Sequence, residues 1–211
     1  MSRATASRTL AGNLAGLAAA LIIGVAAIVP AAAAQSGAHV YVLTGLLNMS
    51  PGLEALAEKI RRNGIAATVN NHNLWSSLAS EAIAQYKSGK LRSIVIVGHS
   101  MGGGAAVDMA AELGQAGVPV DLVIALDPTG TTAVPPNVRR AVDYYVAGGL
   151  GSPMTRAGKS RGGVQNVADP NTSHFSIIAQ HERQMLSAVL AAARSHLVAA
   201  AAPQTPPAPA N

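Results

Sequence analysis

The stretch SIVIVGHSMG, residues 93–102, decides the fold of this chain. Its first five residues are mostly β-branched and apolar, which is typical of a short strand buried on both faces of a parallel sheet. The rest of the stretch places Ser100 between two glycines, and residues 105–113 then favour a helix. A serine at such a strand–turn–helix junction is forced into a strained conformation that pushes its hydroxyl out of the sheet. Because Gly98 and Gly102 carry no side chain, the strand and the helix can approach closely there. Ser100 is therefore a candidate nucleophile.

A second stretch, residues 158–162, matches the same pattern of a serine between two glycines. It lies in a polar segment, with neither an apolar strand before it nor a helix after it. Because the pattern alone is a weak signal, the setting decides between the two matches. We interpret Ser160 as a loop serine.

Strand-like and helix-like segments alternate along the chain after residue 38. Such alternation predicts βαβ units and hence an α/β fold, a mostly parallel sheet with helices on both faces. We expect Ser76 or Ser77 to cap the second helix. The predicted strands are residues 39–43, 65–69, 93–97, 120–126 and 139–146, and the predicted helices are residues 53–62, 76–87, 105–113 and 175–197.

Composition excludes several classes of protein. The chain has 211 residues, 49% of them apolar, which suffices for one domain with a buried core. It has no cysteine, so disulfide scaffolds, thiolate metal sites and cysteine nucleophiles are excluded. Only 3% of the residues are aromatic, and the bases behind the net charge of +5 are scattered, so we expect no nucleic-acid partner.

Residues 1–34 have the pattern of an export signal. Arg3 and Arg8 are followed by a long uncharged run rich in apolar residues. Small residues three and one before a cut are what signal peptidase accepts, and Ala32 and Ala34 fit a cut after Ala34. The pattern predicts an exported protein, either periplasmic or secreted.

The alternative is an uncleaved anchor in the inner membrane formed by residues 10–34. The apolar run is long enough for that, because a helix needs about 20 residues to span a bilayer. Contact with the membrane is expected only in this case. The sequence then divides into a leader or anchor, a domain over residues 35–198, and an Ala- and Pro-rich tail over residues 199–211 that we expect to be disordered.

The segment VIVGHSMGGGAA, residues 95–106, resembles the nucleophile elbow of the α/β-hydrolase superfamily. The order of the predicted elements over residues 39–197 is also similar to that family, although only the elbow is highly specific. The resemblance implies a serine nucleophile followed along the chain by an acid and a histidine. It implies a serine hydrolase of the esterase, thioesterase or lipase type that acts on a small acyl ester or thioester. No cofactor and no metal are required for this chemistry.

Three histidines follow Ser100, and the resemblance favours His174 as the general base. It lies just before the last predicted helix, where the family's catalytic histidine lies. The sequence SHFS, residues 173–176, is also similar to the His-Phe pair of thioesterase-like members. His181 and His196 lie within the last helix, where we expect a solvated face.

Three carboxylates are candidates for the acid that orients the histidine. Asp127 closes a predicted buried strand, and a carboxylate at the carboxyl end of a sheet strand faces the crevice in which ligands bind. Some thioesterase-like members place their acid at this point. Asp169 and Asp143 remain alternatives, since the more usual family position is one strand later.

The resemblance also implies an oxyanion hole built from two backbone N–H groups. Met101, the residue after the nucleophile, supplies one donor. The segment after the first strand, residues 44–48, resembles the family's HG-x-x segment with Thr44 where histidine is common. The match makes Leu46 the second donor, and a backbone donor does not depend on the side chain at Thr44.

The connection after Asp127, residues 128–137, is too short for a large lid. We expect an open, minimal α/β-hydrolase with Ser100, Asp127 and His174 as its catalytic residues. The rival hypothesis is a non-catalytic, exported binding protein of the same fold. An exposed elbow serine argues against it, because binding alone does not need one.

Three further features carry weaker signals. Trp75 is interpreted as a core residue that could also wall an acyl pocket. His72 has no partner at metal-ligand spacing, so we assign no metal site. The segment over residues 148–163 is glycine-rich and basic and is expected to be a mobile loop near the site.

Overall fold

A computed structural model of the chain describes residues 37–158 and 162–201, without the side chains of residues 196–201. The predicted leader or anchor and the tail beyond residue 201 lie outside these ranges. The same is true of Ser160 and the two residues beside it. Among the described residues, none of the helices combines the length and the apolar character needed to cross a bilayer.

In the described part of the chain, six strands form one sheet in which all neighbouring strands run parallel, in the order β2-β1-β3-β4-β6-β8. Two further strands of two residues each, β5 and β7, pair with each other outside this sheet. The strands are β1 Ala38–Thr44, β2 Ala66–Asn71, β3 Ser93–His99, β4 Leu122–Leu126, β5 Ala133–Val134, β6 Arg140–Val146, β7 Thr155–Arg156 and β8 Gly163–Asp169.

Four α-helices within the described ranges cover the two faces of the sheet. Helices α1 and α4 pack on one face, and α2 and α3 pack on the other. The mostly parallel α/β sheet expected from the sequence is therefore confirmed. The helices are α1 Leu53–Arg62, α2 Trp75–Lys87, α3 Met101–Gln115 and α4 Ile177–Ala201.

Alternation along the strands explains why both faces are covered. Val40 and Val42 of β1 contribute to the core beneath α1 and α4, whereas Tyr41 and Leu43 contribute to the core beneath α2 and α3. Successive side chains of a strand point to opposite faces, so a continuous apolar run needs a helix layer on each side. Every residue of β3 is buried, so the strand that leads to Ser100 has a fixed position.

Strand β8 is absent from the predicted elements. It is an edge strand, paired only with β6, and its sequence GVQNVAD is exposed or half-buried throughout. Such a strand needs no continuous apolar run, because its side chains are at most partly buried: Val164 and Val167 pack at the margins of the two cores. Hydropathy therefore carried no signal for it.

The segment over residues 148–163 was expected to be a mobile loop, but its described residues are anchored. Met154 is buried, and strand β7, which lies in this segment, pairs with β5 from an earlier part of the chain. The N–H of Gly151 donates to Asp127. These contacts join residues distant in the chain, which local sequence patterns do not report.

The cap predicted for α2 is wrong. The helix begins at Trp75, and no side chain caps it. A 3-10 turn, His72–Leu74, precedes it and is capped by Asn71, whose side chain accepts from the N–H of Asn73. Ser76 lies within the helix, and its hydroxyl donates to Glu112 of α3 at 3.0 Å.

Candidate active site

Ser100 lies in the tight turn between β3 and α3. Its backbone has φ 57° and ψ −122°, and residues other than glycine rarely adopt a positive φ. Two close approaches explain the flanking glycines. A Cβ added to Gly98 would overlap the carbonyl oxygen of Gly102, and a Cβ added to Gly102 would overlap that of Leu43. The turn therefore tolerates no side chain at either glycine.

The sheet topology brings the loop after β1 against Ser100. From β1 the chain passes outward to β2 and then returns to β3 on the other side of β1, so the sheet has its switch point between β1 and β3. Gly45 follows β1, and a Cβ added to it would lie 3.1 Å from Cβ of Ser100. Leu46 is the next residue, and Met101 begins α3, where the first N–H groups have no partner within the helix.

His174 and Asp127 form a hydrogen-bonded pair beside this turn. Nδ1 of His174 lies 2.6 Å from Oδ2 of Asp127. The carbonyl oxygen of Ser100 accepts from the N–H of Thr129 at 3.0 Å, which ties the elbow to the loop after Asp127. No hydrogen bond joins Ser100 Oγ to the His174 ring among the described residues. Such contacts often tighten only when substrate binds.

The carboxylate of Asp127 is held from two sides. Oδ1 accepts from the N–H of Val146 at 3.0 Å and from that of Gly151 at 3.2 Å, while Oδ2 is bonded to His174. The side chain is fully buried. A buried carboxylate costs free energy unless it is hydrogen-bonded, and here both oxygens have partners. The contacts also fix which oxygen faces the histidine.

The two alternative acids contact other groups. Oδ2 of Asp169 lies 3.1 Å from Nε2 of His181, and that ring stacks on Tyr144 at 4.3 Å. The solvated position expected for His181 is therefore wrong, because the ring is buried between α4 and the sheet. His196, the other histidine predicted on that face, lies outside the described side chains.

Asp143 is buried within β6. Its Oδ2 accepts from the N–H of Met154 at 3.1 Å, whereas its Oδ1 has no hydrogen-bond partner among the described residues. Burial is the main cause that raises the pKa of Asp143 to about 7; the Met154 bond opposes the rise, and the nearby charge of Asp127 contributes to it. A carboxyl group that is half protonated near neutral pH is a poor permanent counter-charge for a histidine.

His99 and Ser50 also belong to the site, and the sequence analysis selected neither. The His99 ring is fully buried, and its centroid lies 4.7 Å from that of His174. Its Nε2 lies 2.7 Å from the His174 carbonyl oxygen, and its Nδ1 lies 2.9 Å from Oγ of Ser50. Ser50 Oγ also accepts from the N–H of Gly45 at 2.9 Å. The only available signal was the position of His99 inside the elbow motif.

Backbone strain is concentrated around the same site. Among the described residues, four other than glycine have a positive φ, and all four lie in loops at the carboxyl ends of β1, β3 and β4. Strained conformations of this kind cost on the order of 1–3 kcal/mol each and cluster at functional sites. The four residues are Leu47, Asn48, Ser100 and Asp127.

Exposed apolar side chains surround the site. All the large apolar side chains that are exposed in the described part of the chain lie in loops at the carboxyl edge of the sheet or at the start of α3. Single exposed apolar residues are ordinary, but their concentration at one edge marks an interaction site. These residues, called the apolar rim below, are Leu46, Leu47, Met49, Leu74, Met101, Leu150 and Phe175.

Two open clefts lie within this rim. One, of about 560 Å³, is lined mainly by apolar groups, including Met49, Pro51 and Phe175. The other, of about 320 Å³, is more polar and includes Asp108 and the partly buried Trp75. Trp75 thus packs on the core and also lines a cleft. The connection between β4 and β6, which the structure describes throughout, holds the two-residue strand β5 and no inserted helix.

Comparison with known proteins identifies the fold. No model of a protein family and no curated protein matches this chain. Solved structures do match. One of the metagenome-derived lipolytic enzymes LipS and LipT is 13% identical with a TM-score of 0.51, over 77% of this chain and 95% of that one. Human thioesterase 2 is 8% identical with a TM-score of 0.52, over 80% of this chain and all of that one. These similarities show that the chain has the fold of the α/β-hydrolase superfamily.

Proposed function

We propose that this protein is a serine hydrolase that cleaves carboxylic ester or thioester bonds through an acyl-enzyme on Ser100. The observation that carries the proposal is the hydrogen bond between the buried Asp127 and the partly buried His174, next to a serine held in a strained elbow. A serine hydroxyl is a weak nucleophile until a base takes its proton, and a base needs a third group to fix its tautomer. The chain supplies one residue for each of these roles.

The proposed reaction begins with attack of Ser100 Oγ on the carbonyl carbon of the substrate. The hydroxyl proton passes to Nε2 of His174, while Nδ1–H of the same ring remains bonded to Asp127. Collapse of the tetrahedral intermediate expels the alcohol or thiol, which takes the proton from Nε2. A water molecule then attacks the acyl-enzyme and gives a proton to Nε2 of His174. Collapse of the second tetrahedral intermediate releases the carboxylic acid, and Nε2 returns the proton to Ser100 Oγ.

The N–H groups of Leu46 and Met101 are proposed to stabilise the oxyanion. Two features support this role: the loop after β1 lies against Ser100, and Met101 occupies the first position of α3. Backbone donors at a helix N-terminus favour negative charge. Removal of one such donor costs about 10²–10³ in rate in other serine hydrolases.

The surroundings of Ser100 favour substrates with an apolar group. The apolar rim and the larger cleft offer Met49 and Phe175 to an acyl chain or to an apolar leaving group. An open site without a large lid suits small or flexible acyl esters and thioesters. LipS and LipT are described as lipolytic, and human thioesterase 2 is a thioesterase, which agrees with this substrate class.

The test is a panel of p-nitrophenyl esters of increasing acyl length, with acyl-thioesters alongside. Wild type, Ser100→Ala and Ser160→Ala should be compared. We expect turnover by wild type and by Ser160→Ala, and none above background by Ser100→Ala. Equal activity in all three variants would refute the proposal, since the serine in the second motif match serves as the matched control.

A non-catalytic binding protein of the same fold is the alternative. The strained backbone at Ser100 argues against it, because such strain is destabilising without a functional return. A fluorophosphonate probe separates the two, since it labels only an activated serine. Absence of labelling together with a folded protein would support the binding protein.

We further propose that the protein is exported, as a periplasmic or secreted enzyme. The support is the pattern of residues 1–34, in which a basic start and an apolar run end in small residues. Retention of this segment as an anchor in the inner membrane is the alternative.

A further inference from the structure

The chain of hydrogen bonds through His99 has only one arrangement of protons. A carbonyl oxygen can only accept, so Nε2 of His99 donates to His174 O at 2.7 Å. In the neutral ring Nδ1 must then accept, and the hydroxyl of Ser50 donates to it at 2.9 Å. Ser50 Oγ in turn accepts from the N–H of Gly45. Each donor meets one acceptor, so the chain fixes the tautomer of His99.

His99 is neutral at ordinary pH. Burial lowers the pKa of the ring, and the charge of His174 lowers it further, whereas the bond to the His174 carbonyl and the charge of Asp127 oppose the shift. Protonation would place a hydrogen on Nδ1 and force the Ser50 hydroxyl to turn away. The neutral ring therefore keeps the network in one geometry.

The hydrogen-bond network ends at Gly45 and at His174, which both lie in irregular segments. His99, in the middle of the network, lies on a strand. Gly45 leads into the turn of residues 46–48, where Leu47 and Asn48 have a positive φ. His174 lies in the connection between β8 and α4. By contrast, His99 closes the fully buried strand β3 and pairs in register with Leu126 of β4. It is therefore the fixed point between two loops.

We infer that His99 and Ser50 are positioning residues that hold the general base His174 and the oxyanion donor Leu46 at a set distance on either side of Ser100. The inference rests on the proposed function. Neither side chain touches the reacting atoms in this role. They act through the backbone of His174 and of Gly45, so their loss should misplace both catalytic groups without removing either.

The variants Ser50→Ala, His99→Leu and the double variant test the inference. Misplacement of catalytic groups by about 1 Å costs on the order of 100-fold, so each single variant should lose about 10- to 100-fold in kcat on p-nitrophenyl acetate. KM should change little, because the interaction matters in the transition state. Since both residues belong to one hydrogen-bond network, the kcat of the double variant should be hardly lower than that of His99→Leu alone.

His39→Leu is the matched control. It also replaces a strand histidine, but its side chain bonds Thr68 at the other end of β1 from Gly45, far along the strand from the site. We expect its kcat to equal that of wild type. A fall in kcat equal to that of His99→Leu would mean that the loss reflects general destabilisation, and the inference would be wrong.

Two results would overturn the inference while the proposed function stands. One is a kcat near wild type in both single variants when Ser100→Ala is inactive. The other is full additivity in the double variant, which would show that the two residues act separately.

A measurement of structure keeps the test independent of turnover. In ¹⁵N NMR spectra, wild type should show His99 as the neutral Nε2–H tautomer. Ser50→Ala should shift the backbone amide signals of both Leu46 and His174, because the same hydrogen-bond network joins the loops that hold these two residues. If wild type hydrolyses no ester or thioester, the proposed function fails, and these spectra alone decide the structural coupling. An unmoved His174 amide would contradict it.

Discussion

Oδ2 of Asp127 lies 2.6 Å from Nδ1 of His174, and the other oxygen of the same carboxylate accepts two backbone N–H groups. The carboxylate is therefore fixed before it meets the histidine. Because Nδ1 is engaged, Nε2 is the ring nitrogen left for the proposed proton transfer with Ser100. The chain joins this acid to the end of β4 rather than to the following strand of the sheet, β6.

Asp127→Asn should lower kcat by about 10⁴ while leaving the fold intact. The amide oxygen can still accept from Val146 and Gly151, so the side chain keeps its position. Its NH₂ group would then face Nδ1 of His174, and a donor opposite a donor selects the wrong tautomer. The measurement is kcat on one activated ester, with thermal unfolding recorded for each variant.

Asp169→Asn and Asp143→Asn are the controls for this loss. Asp169 is bonded to His181, and Asp143 to Met154, so neither contacts His174. Both variants should retain most of the wild-type kcat. A large loss in either one, with Asp127→Asn near wild type, would move the acid to that residue.

The raised pKa of Asp143 leads to a separate prediction about the stability of the protein. Its folded-state pKa of about 7 lies above the ordinary value of 3.8, so between these two pH values the folded protein holds a proton that the unfolded chain has lost. Ionisation of this group therefore lowers the free energy of unfolding of the protein as pH rises from about 4. The loss of stability is complete above pH 7. The penalty is on the order of 2–4 kcal/mol.

The variant Asp143→Asn removes this ionisation. Its stability relative to wild type should rise between pH 5 and pH 8, as measured by urea denaturation at each pH. A difference that does not change with pH would show that Asp143 titrates as it does in the unfolded chain.

Gly102→Ala should destabilise the protein by about 1–3 kcal/mol or more, because the added Cβ would overlap the carbonyl oxygen of Leu43. Gly163→Ala is the matched control. A Cβ at Gly163 meets nothing within 4 Å, so its effect should stay within about 0.5 kcal/mol. Thermal unfolding measures both changes. Equal stability of the two variants would mean that the elbow is not closely packed against β1.

Export should remove residues 1–34, which lie outside the described part of the structure. Mass spectrometry of protein recovered from the periplasm or the medium of a bacterial host should find Gln35 as the first residue. A membrane-bound product that retains Arg3 would instead establish the anchor.

The elements that sequence patterns predicted are those with a buried apolar side. The bounds of α1 agree with the prediction, and β3 differs only by including Gly98 and His99. Edge strand β8 was missed because none of its side chains is fully buried, so it carries no continuous apolar run. Hydropathy reports burial, and an edge strand is specified by backbone pairing with its neighbour.

The site residues divide in the same way. Ser100 follows from a local motif, because strand, turn and glycines are adjacent in the chain. His99 and Ser50 are 49 positions apart and depend on how the loops meet, so no local pattern could select them. Asp127, Asp143 and Asp169 could be ranked but not separated from sequence. The structure pairs Asp127 with His174 and directs the other two elsewhere.

The most direct test of the account is the intact mass of the protein after reaction with a fluorophosphonate. We expect one phosphonyl group per chain in wild type, located on Ser100 by peptide mapping, and none in Ser100→Ala. Labelling should also be strongly slowed in Asp127→Asn, because the base that activates the serine is then in the wrong tautomer. A label on another residue, or ester hydrolysis that continues in Ser100→Ala, would contradict the account.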